Sequence, residues 1–338
     1  MNPFIIPIFL PQMGCSYRCL YCNQKTITKS PTRSLDWDTL SAIVEAGLSS
    51  KRKKPGQMVE IAFFGGTFTN LPSALQERLL TWAGHYLSEQ RIAAIRISTR
   101  PDALSEKNIE PLLALGVRTI ELGVQSLDDE VLTLSNRGHT TRDAVQTLAL
   151  LKKYPIQIGI QLMAGLPGDT ARGFLETIRQ TVALKPDFVR IYPTLVFRDT
   201  PLAQWWRQKR YQPLSLAEAV SLCSRALEIF EENGIRVIRF GLQENEGIRF
   251  GRDLIAGPHH PAFGSLVRGE CFTKKILQRL SVQKSLPFRL GLEIGPKDLS
   301  YLTGNKRKNL VRLIKESGVD MIDLNSDPRL PPGSWRWV

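Results

Sequence analysis

The sequence predicts an α/β fold built from repeated β–α units around a parallel sheet, and two observations predict it. From residue 4 to about residue 240, short apolar runs alternate with longer amphipathic ones, the pattern of strands exchanged with helices. The glycine-rich and polar stretches fall just after the apolar runs, at what would be the carboxyl ends of strands, where barrel and doubly wound enzymes alike build their sites. Periodicity does not decide between an open sheet and part of a barrel.

The strands read as Phe4 to Leu10, Val59 to Phe64, Ala94 to Ser98, Thr119 to Val124, Gln157 to Met163 and Phe188 to Tyr192, runs rich in β-branched and aromatic residues. Ser34 or Asp36 is placed to cap a first helix that ends near Leu48. Further helices are expected over Ser73 to Ser88, Ser105 to Leu115, Thr141 to Tyr154 and Thr170 to Leu184. A sixth, about Ser215 to Asn233, stops at Gly234, which suits the left-handed turn after a helix. Ile235 to Phe240 reads as a further strand.

Beyond about residue 245 the composition changes, with Arg249 to Gly269 rich in loop formers and containing GPHHPAFG. A helix over Leu266 to Val282, a strand over Phe288 to Leu292, a helix over Asn305 to Ser317 and a strand over Val319 to Leu324 follow. The prolines of LPPGSWRWV make the tail read as irregular. This divides the chain into a core, 1–245, and an extension, 246–338.

At 338 residues, 42% of them hydrophobic, the chain can bury a large core. The run PFIIPIFLP is too short to span a bilayer and no other stretch is long enough, so no membrane partner is expected. Five cysteines, an odd number with three crowded together, do not form a disulfide framework, and a reducing cytoplasm is the expected location. A net charge of +13 favours polyanionic partners, nucleic acid above all. The basic runs Lys51 to Lys54 and Lys306 to Lys308 taken alone read as solvated loops or helix starts.

Residues Met13 to Gln24 read MGCSYRCLYCNQ. Cys15, Cys19 and Cys22 can converge on one soft metal centre, but a closed zinc site needs four protein ligands, and Cys223 and Cys271 lie far downstream. An iron–sulfur cluster is normally held by four thiolates. With three, one iron stays open to chemistry. The spacing, with Tyr21 ahead of the third cysteine and an apolar strand ahead of the first, resembles the signature of the radical S-adenosylmethionine (radical SAM) enzymes. The resemblance implies a 4Fe-4S cluster on Cys15, Cys19 and Cys22, S-adenosylmethionine on the fourth iron, and a 5′-deoxyadenosyl radical released by reductive cleavage. It also implies a partial (β/α) barrel of six units (TIM-like) with a small α/β C-terminal extension, and an electron donor protein such as a flavodoxin or ferredoxin.

Gly65-Gly66-Thr67 after the second strand would by itself be a turn. Behind the cysteine loop it resembles the glycine motif whose backbone binds the methionyl amino group, and Tyr21 joins it among the expected cofactor-binding residues. The segment Glu121 to Ser126 (ELGVQS), with Asn136 to His139 (NRGH), resembles the radical domain of the Elongator catalytic subunit and its oxygen-independent coproporphyrinogen oxidase relatives. Gln125 and Arg137 there fall at positions that contact S-adenosylmethionine. TRPD (Thr99 to Asp102), GLPG (Gly165 to Gly168) and IYPTLVFRDTPL (Ile191 to Leu202) continue the likeness. The chain departs from the Elongator subunit in its shorter first cysteine spacing and in carrying no acetyltransferase segment. It departs from the oxidase-like relatives at Ser98 and Gln161, where they have acidic residues. His259 and His260 would bind a metal only if a carboxylate or Cys271 joined them, and His139 reads as a structural hydrogen-bonder. The resemblance therefore implies a radical SAM enzyme modifying RNA, with tRNA foremost. The alternatives are an enzyme acting on a small molecule such as a tetrapyrrole, and a non-catalytic metal-containing RNA-binding protein.

Overall fold

The computed structural model describes residues 3–24, 26, 36–242, 250–283, 288–331 and 333–338. Parallel strands occur with both faces covered and read as near-continuous apolar runs, and the first seven apolar runs form such strands. In chain order come β1 (Phe4–Phe9), α1 (Trp37–Leu48), β2 (Val59–Phe64), α2 (Ser73–Ser88), β3 (Ala94–Thr99) and α3 (Glu106–Ala114). Then follow β4 (Val117–Gln125), α4 (Asp129–Leu134), α5 (Thr141–Leu151), β5 (Gln157–Ala164), α6 (Ala171–Ala183) and β6 (Phe188–Pro193). β7 (Val196–Phe197), α7 (Pro201–Arg207), α8 (Leu216–Glu232) and β8 (Arg236–Phe240) complete the core. The main sheet runs β1-β2-β3-β4-β5-β6-β8, with every neighbouring pair parallel.

Alternation along each strand divides its residues between two faces. Ile61, Phe63, Ile95, Ile97, Ile120, Leu122, Ile160 and Ile191 share one apolar core with helix residues such as Leu79, Leu148, Ile178 and Phe230. Glu60, Arg96, Glu121 and Arg190, at the alternate positions, face the other way and are joined across the concave side. Arg96 binds Glu60 at 2.7 Å and Glu121 at 2.6 Å, and Arg190 reaches Glu121 at 3.1 Å. The Arg190 guanidinium also lies 5.0 Å from the Phe64 ring. β6 and β2 are separated in the sheet by three strands, so that contact exists only because the sheet curls into a half-barrel. β1 and β8 form the two edges of the main sheet.

Helix starts follow local chemistry. The Asp36 side chain accepts from Asp38 N and Thr39 N at the head of α1; Ser34, the other cap expected, lies outside the described residues. Capping boxes at Thr140/Asp143 and Ser215/Glu218 open α5 and α8. Gly234, with φ of 70°, follows the end of α8.

The remaining elements are β9 (Leu254–Ala256), antiparallel to β7, then α9 (Phe263–Ser281), β10 (Arg289–Ile294), α10 (Leu299–Thr303), α11 (Lys308–Ser317), β11 (Met321–Ser326) and β12 (Trp335–Trp337). The tail expected to be irregular is corrected here: Trp335 to Trp337 pair antiparallel with β10, completing a three-stranded sheet β11-β10-β12. α9 starts three residues earlier than expected. Its Phe263, Val267 and Cys271 enter the main core, and its Phe272, Ile276 and Leu280 the core of the extension. The division expected between 245 and 246 falls outside the described residues. Among the described residues no helix is long and apolar enough to cross a membrane.

Two carboxylates and two guanidiniums balance in the lumen, and taking one partner from such a buried cluster strands a charge. Arg96→Met should therefore lower the unfolding free energy by about 3–5 kcal/mol, read as a fall in the urea midpoint; an unmoved midpoint would contradict the network.

Candidate active site

The chain leaves β1 through two left-handed residues, Gln12 (φ 59°) and Gly14 (φ 71°), and doubles back over the end of β2. Backbone bonds fix it there: Gln12 N donates to Gly65 O at 2.8 Å, and Thr67 N to Met13 O at 2.9 Å. The two segments approach so closely that neither tolerates a side chain at the crossing. A Cβ on Gly14 would collide with Thr67 O, and one on Gly66 with the carbonyl oxygens of Met13 and Leu10. Gly66 thus makes room for the cysteine loop itself. Gly65, with φ of 89°, has more space, its nearest neighbour being the Gln24 side chain.

The loop's far side rests on the turn after α4. Leu20 N donates to Ser135 O at 3.1 Å, Asn136 Nδ2 to Arg18 O at 2.8 Å, and Asn136 itself takes φ of 52°. A third tether comes from α7, where Leu202 N donates to Leu20 O at 3.0 Å. The cysteines are therefore held against the carboxyl ends of β2 and β4, with Cys15 exposed, Cys19 buried and Cys22 between.

Cys15 Sγ and Thr67 Oγ1 share a hydrogen bond at 3.4 Å. Arg137 donates to Cys19 Sγ at 3.0 Å and, through its other terminal nitrogen, to Gly123 O. Burial works against the Arg137 charge, but Tyr21 and the thiols of Cys19 and Cys22 outweigh it and push its pKa up. Burial, followed by Cys19 and Cys15, pushes the Cys22 thiol up to about 12. Tyr21 is raised by burial, which Arg137 opposes. Among the described residues Arg137 Nε, beside the cysteines, is buried without a hydrogen-bond partner, a state that a ligand would relieve.

Gln125, expected among the cofactor-binding residues, closes β4 with φ of 71° and accepts at 3.4 Å from Nε2 of Gln161, the position where the oxidase-like relatives are acidic. His139 Nε2 lies 3.2 Å from Val124 O, and burial with Arg137 and Arg100 lowers its pKa to about 4. Cys223 and Cys271 are buried in helices. His260 uses Nδ1 to accept from Ala262 N at 3.0 Å. Among the described residues no three His, Cys, Asp or Glu side chains are gathered to hold one ion. That includes the cysteine triad. Three thiols in one loop fall one short of the four protein ligands of a closed zinc site, whereas a cluster takes each thiolate on a different iron.

Sequence reasoning missed several residues that shape this site. Gly14, Ser135 and Leu202 act through their backbone, and Asn136 through its side-chain amide on Arg18 O, all across long sequence separations. Only Asn136-Arg137-Gly138 carried a signal, because Asn and Gly after a short helix favour left-handed turns.

Against known families, residues 9–181 match the radical SAM superfamily and residues 186–272 match the Radical_SAM C-terminal domain. The tRNA uridine(34) acetyltransferase of Methanocaldococcus jannaschii is 37% identical over 145 residues, 42% of this chain and 27% of that protein. The protein of the same description from Dehalococcoides mccartyi is 26% identical over 239 residues, 62% of this chain and 52% of that one. The chain thus spans about a quarter to about half the length of these curated relatives. The solved structure of Methanocaldococcus infernus Elp3 with an N-terminal deletion superposes with a TM-score of 0.61 at 22% identity, covering 89% of this chain and 68% of that one.

His139 has a folded pKa of about 4 against an ordinary 6.5, so the unfolded chain takes up a proton that the fold refuses. Its contribution is complete above about pH 6.5 and is lost as the pH falls towards 4. The stability advantage of the wild type over His139→Gln should shrink across that window, by at most about 1.4 kcal/mol per pH unit; parallel profiles for the two proteins would contradict it.

Proposed function

The chain belongs to the radical SAM superfamily, a family of enzymes, and from that premise we propose that it holds a 4Fe-4S cluster on Cys15, Cys19 and Cys22 and uses S-adenosylmethionine to modify RNA, tRNA foremost. The observation that carries the reading is the cysteine loop itself, fixed over the carboxyl ends of β2 and β4 with Arg137 against Cys19. When bound, the cluster would supply the electron that cleaves S-adenosylmethionine to methionine and a 5′-deoxyadenosyl radical.

The chain's own residues prepare for that chemistry. Arg137 sets a fixed positive charge against the Cys19 sulfur, and Thr67 sets a hydroxyl against that of Cys15. Arg137 Nε offers a donor without a partner among the described residues, and Tyr21, Gly65, Gly66, Thr67 and Gln125 would complete the cofactor-binding set. Below the loop, Glu60, Arg96, Glu121 and Arg190 pair their charges within a polar lumen. A substrate placed there can be held by position and shielded from water, which is the protein's main task with a radical. An electron donor such as a flavodoxin or ferredoxin would approach the exposed Cys15 side. The five cysteines are free thiols, in keeping with a cytoplasmic location.

Two observations favour RNA: the net charge of +13 and the tRNA-directed descriptions of the relatives. After anaerobic reconstitution, each of Cys15→Ala, Cys19→Ala and Cys22→Ala should lose most of the roughly four irons per chain that a 4Fe-4S cluster brings, while Cys223→Ala and Cys271→Ala keep them. Full iron in Cys19→Ala would remove the cluster assignment. Titration with unfractionated tRNA should show affinity falling with salt at a log–log slope of about −0.7 per phosphate contact, and tRNA should bind more tightly than a matched DNA duplex. Equal affinities would favour a small-molecule substrate.

A further inference from the structure

We propose that α7 and the turn behind it, Trp205 to Arg210, form a docking surface for single-stranded RNA at the mouth of the half-barrel; the proposal rests on the RNA reading above. Position comes first. Leu202 N is bonded to Leu20 O of the cysteine loop, and Leu202, Ala203 and Tyr211 are buried in one cluster with Leu20, against which Tyr21, Trp205 and Trp206 pack. At the other end of the segment, Tyr211 Oη donates to Gly165 O at 2.6 Å, immediately beyond β5. The segment is thereby pinned beside the cysteines and the strand ends.

Chemistry comes second. From Arg198 to Tyr211 there are four cations and one carboxylate, Asp199. Arg207, Lys209 and Arg210 are exposed, and among the described residues none forms an ion pair. Lys209 turns the chain with φ of 58°, and Arg210 N donates to Trp205 O at 2.8 Å. That turn lays the Arg210 guanidinium 4.6 Å from the centroid of the half-buried Trp205 ring. A planar cation stacked on an indole, flanked by two free cations, is the combination that takes up bases by stacking and phosphates by charge. An acidic electron donor would need the cations but not the aromatic platform, so the observations favour RNA.

The basic run Lys51 to Lys54 provides an internal control, since it lies between α1 and β2, at the amino ends of the strands and away from the cysteine loop. The experiment compares the reconstituted wild type with the triple variants Arg207→Gln/Lys209→Gln/Arg210→Gln and Lys51→Gln/Arg52→Gln/Lys54→Gln, and with Trp205→Ala. Iron content checks that each is folded. Unfractionated tRNA and a single-stranded oligoribonucleotide are titrated at several salt concentrations. The rim triple should flatten the log–log salt slope by about 2, at about 0.7 per lost contact, and Trp205→Ala should weaken binding by roughly tenfold, with the control triple close to wild type. Equal losses in the two triples would reduce the effect to net charge and overturn the proposal, as would unchanged affinity in Trp205→Ala. Unchanged RNA binding with slower reduction by flavodoxin in the rim triple would reassign the surface to the electron donor. A wild type that binds neither RNA would overturn the RNA reading first and this surface with it.

Discussion

The site depends on one close crossing of backbone. Gly14 lies against Thr67 O, and Gly66 against the carbonyls of Met13 and Leu10, with backbone hydrogen bonds on either side of the contact. Any side chain at either glycine would lift the cysteine loop from β2, because the obstructing atoms are backbone and cannot rotate away. The start of the loop takes its position from this crossing and its far side from the tethers at Ser135, Asn136 and Leu202, which together set Cys15 beside Thr67 and Cys19 beside Arg137. Glycine costs conformational entropy elsewhere; here it permits an approach that no other residue allows.

The lumen shows a second balance. A barrel interior is usually filled with branched apolar side chains, yet here four charged residues meet on the concave side. Their charges cancel, and Arg96 and Arg190 also lie over the rings of Phe188 and Phe64. Desolvating such a cluster is costly, and well-packed apolar residues would often be as stable. It lies on the concave face and not on the helix-packed one, so the lumen is polar where the apolar core is not.

The seven strands of the main sheet and the long helices between them were legible because each is long enough for its period to show and each is bounded by turn residues. α4 and α7 were not. Six or seven residues carry too little periodicity to be recognised, and both depend on tertiary contacts for stability. β12 was hidden by PPG ahead of it and by its three-residue length, its strand character coming only from pairing with β10. In the site, the cysteines, Gly65-Gly66-Thr67, Gln125 and Arg137 could be picked out because residue type and spacing carry chemistry. The pairing of Arg96 with Glu60 and Glu121 could not, since nothing in the sequence indicates which charged strand residues will face inward together. The Trp205–Arg210 stack was likewise invisible, because it is made by a left-handed lysine that no propensity would favour.

The central claim is that the three-cysteine loop presents a cluster with one iron open to S-adenosylmethionine. Electron paramagnetic resonance of the reduced, reconstituted protein tests it most directly, with spectra taken before and after S-adenosylmethionine is added. The account predicts a 4Fe-4S signal whose shape changes on addition, and no such signal in Cys19→Ala. A wild-type signal that S-adenosylmethionine leaves unaltered would contradict it.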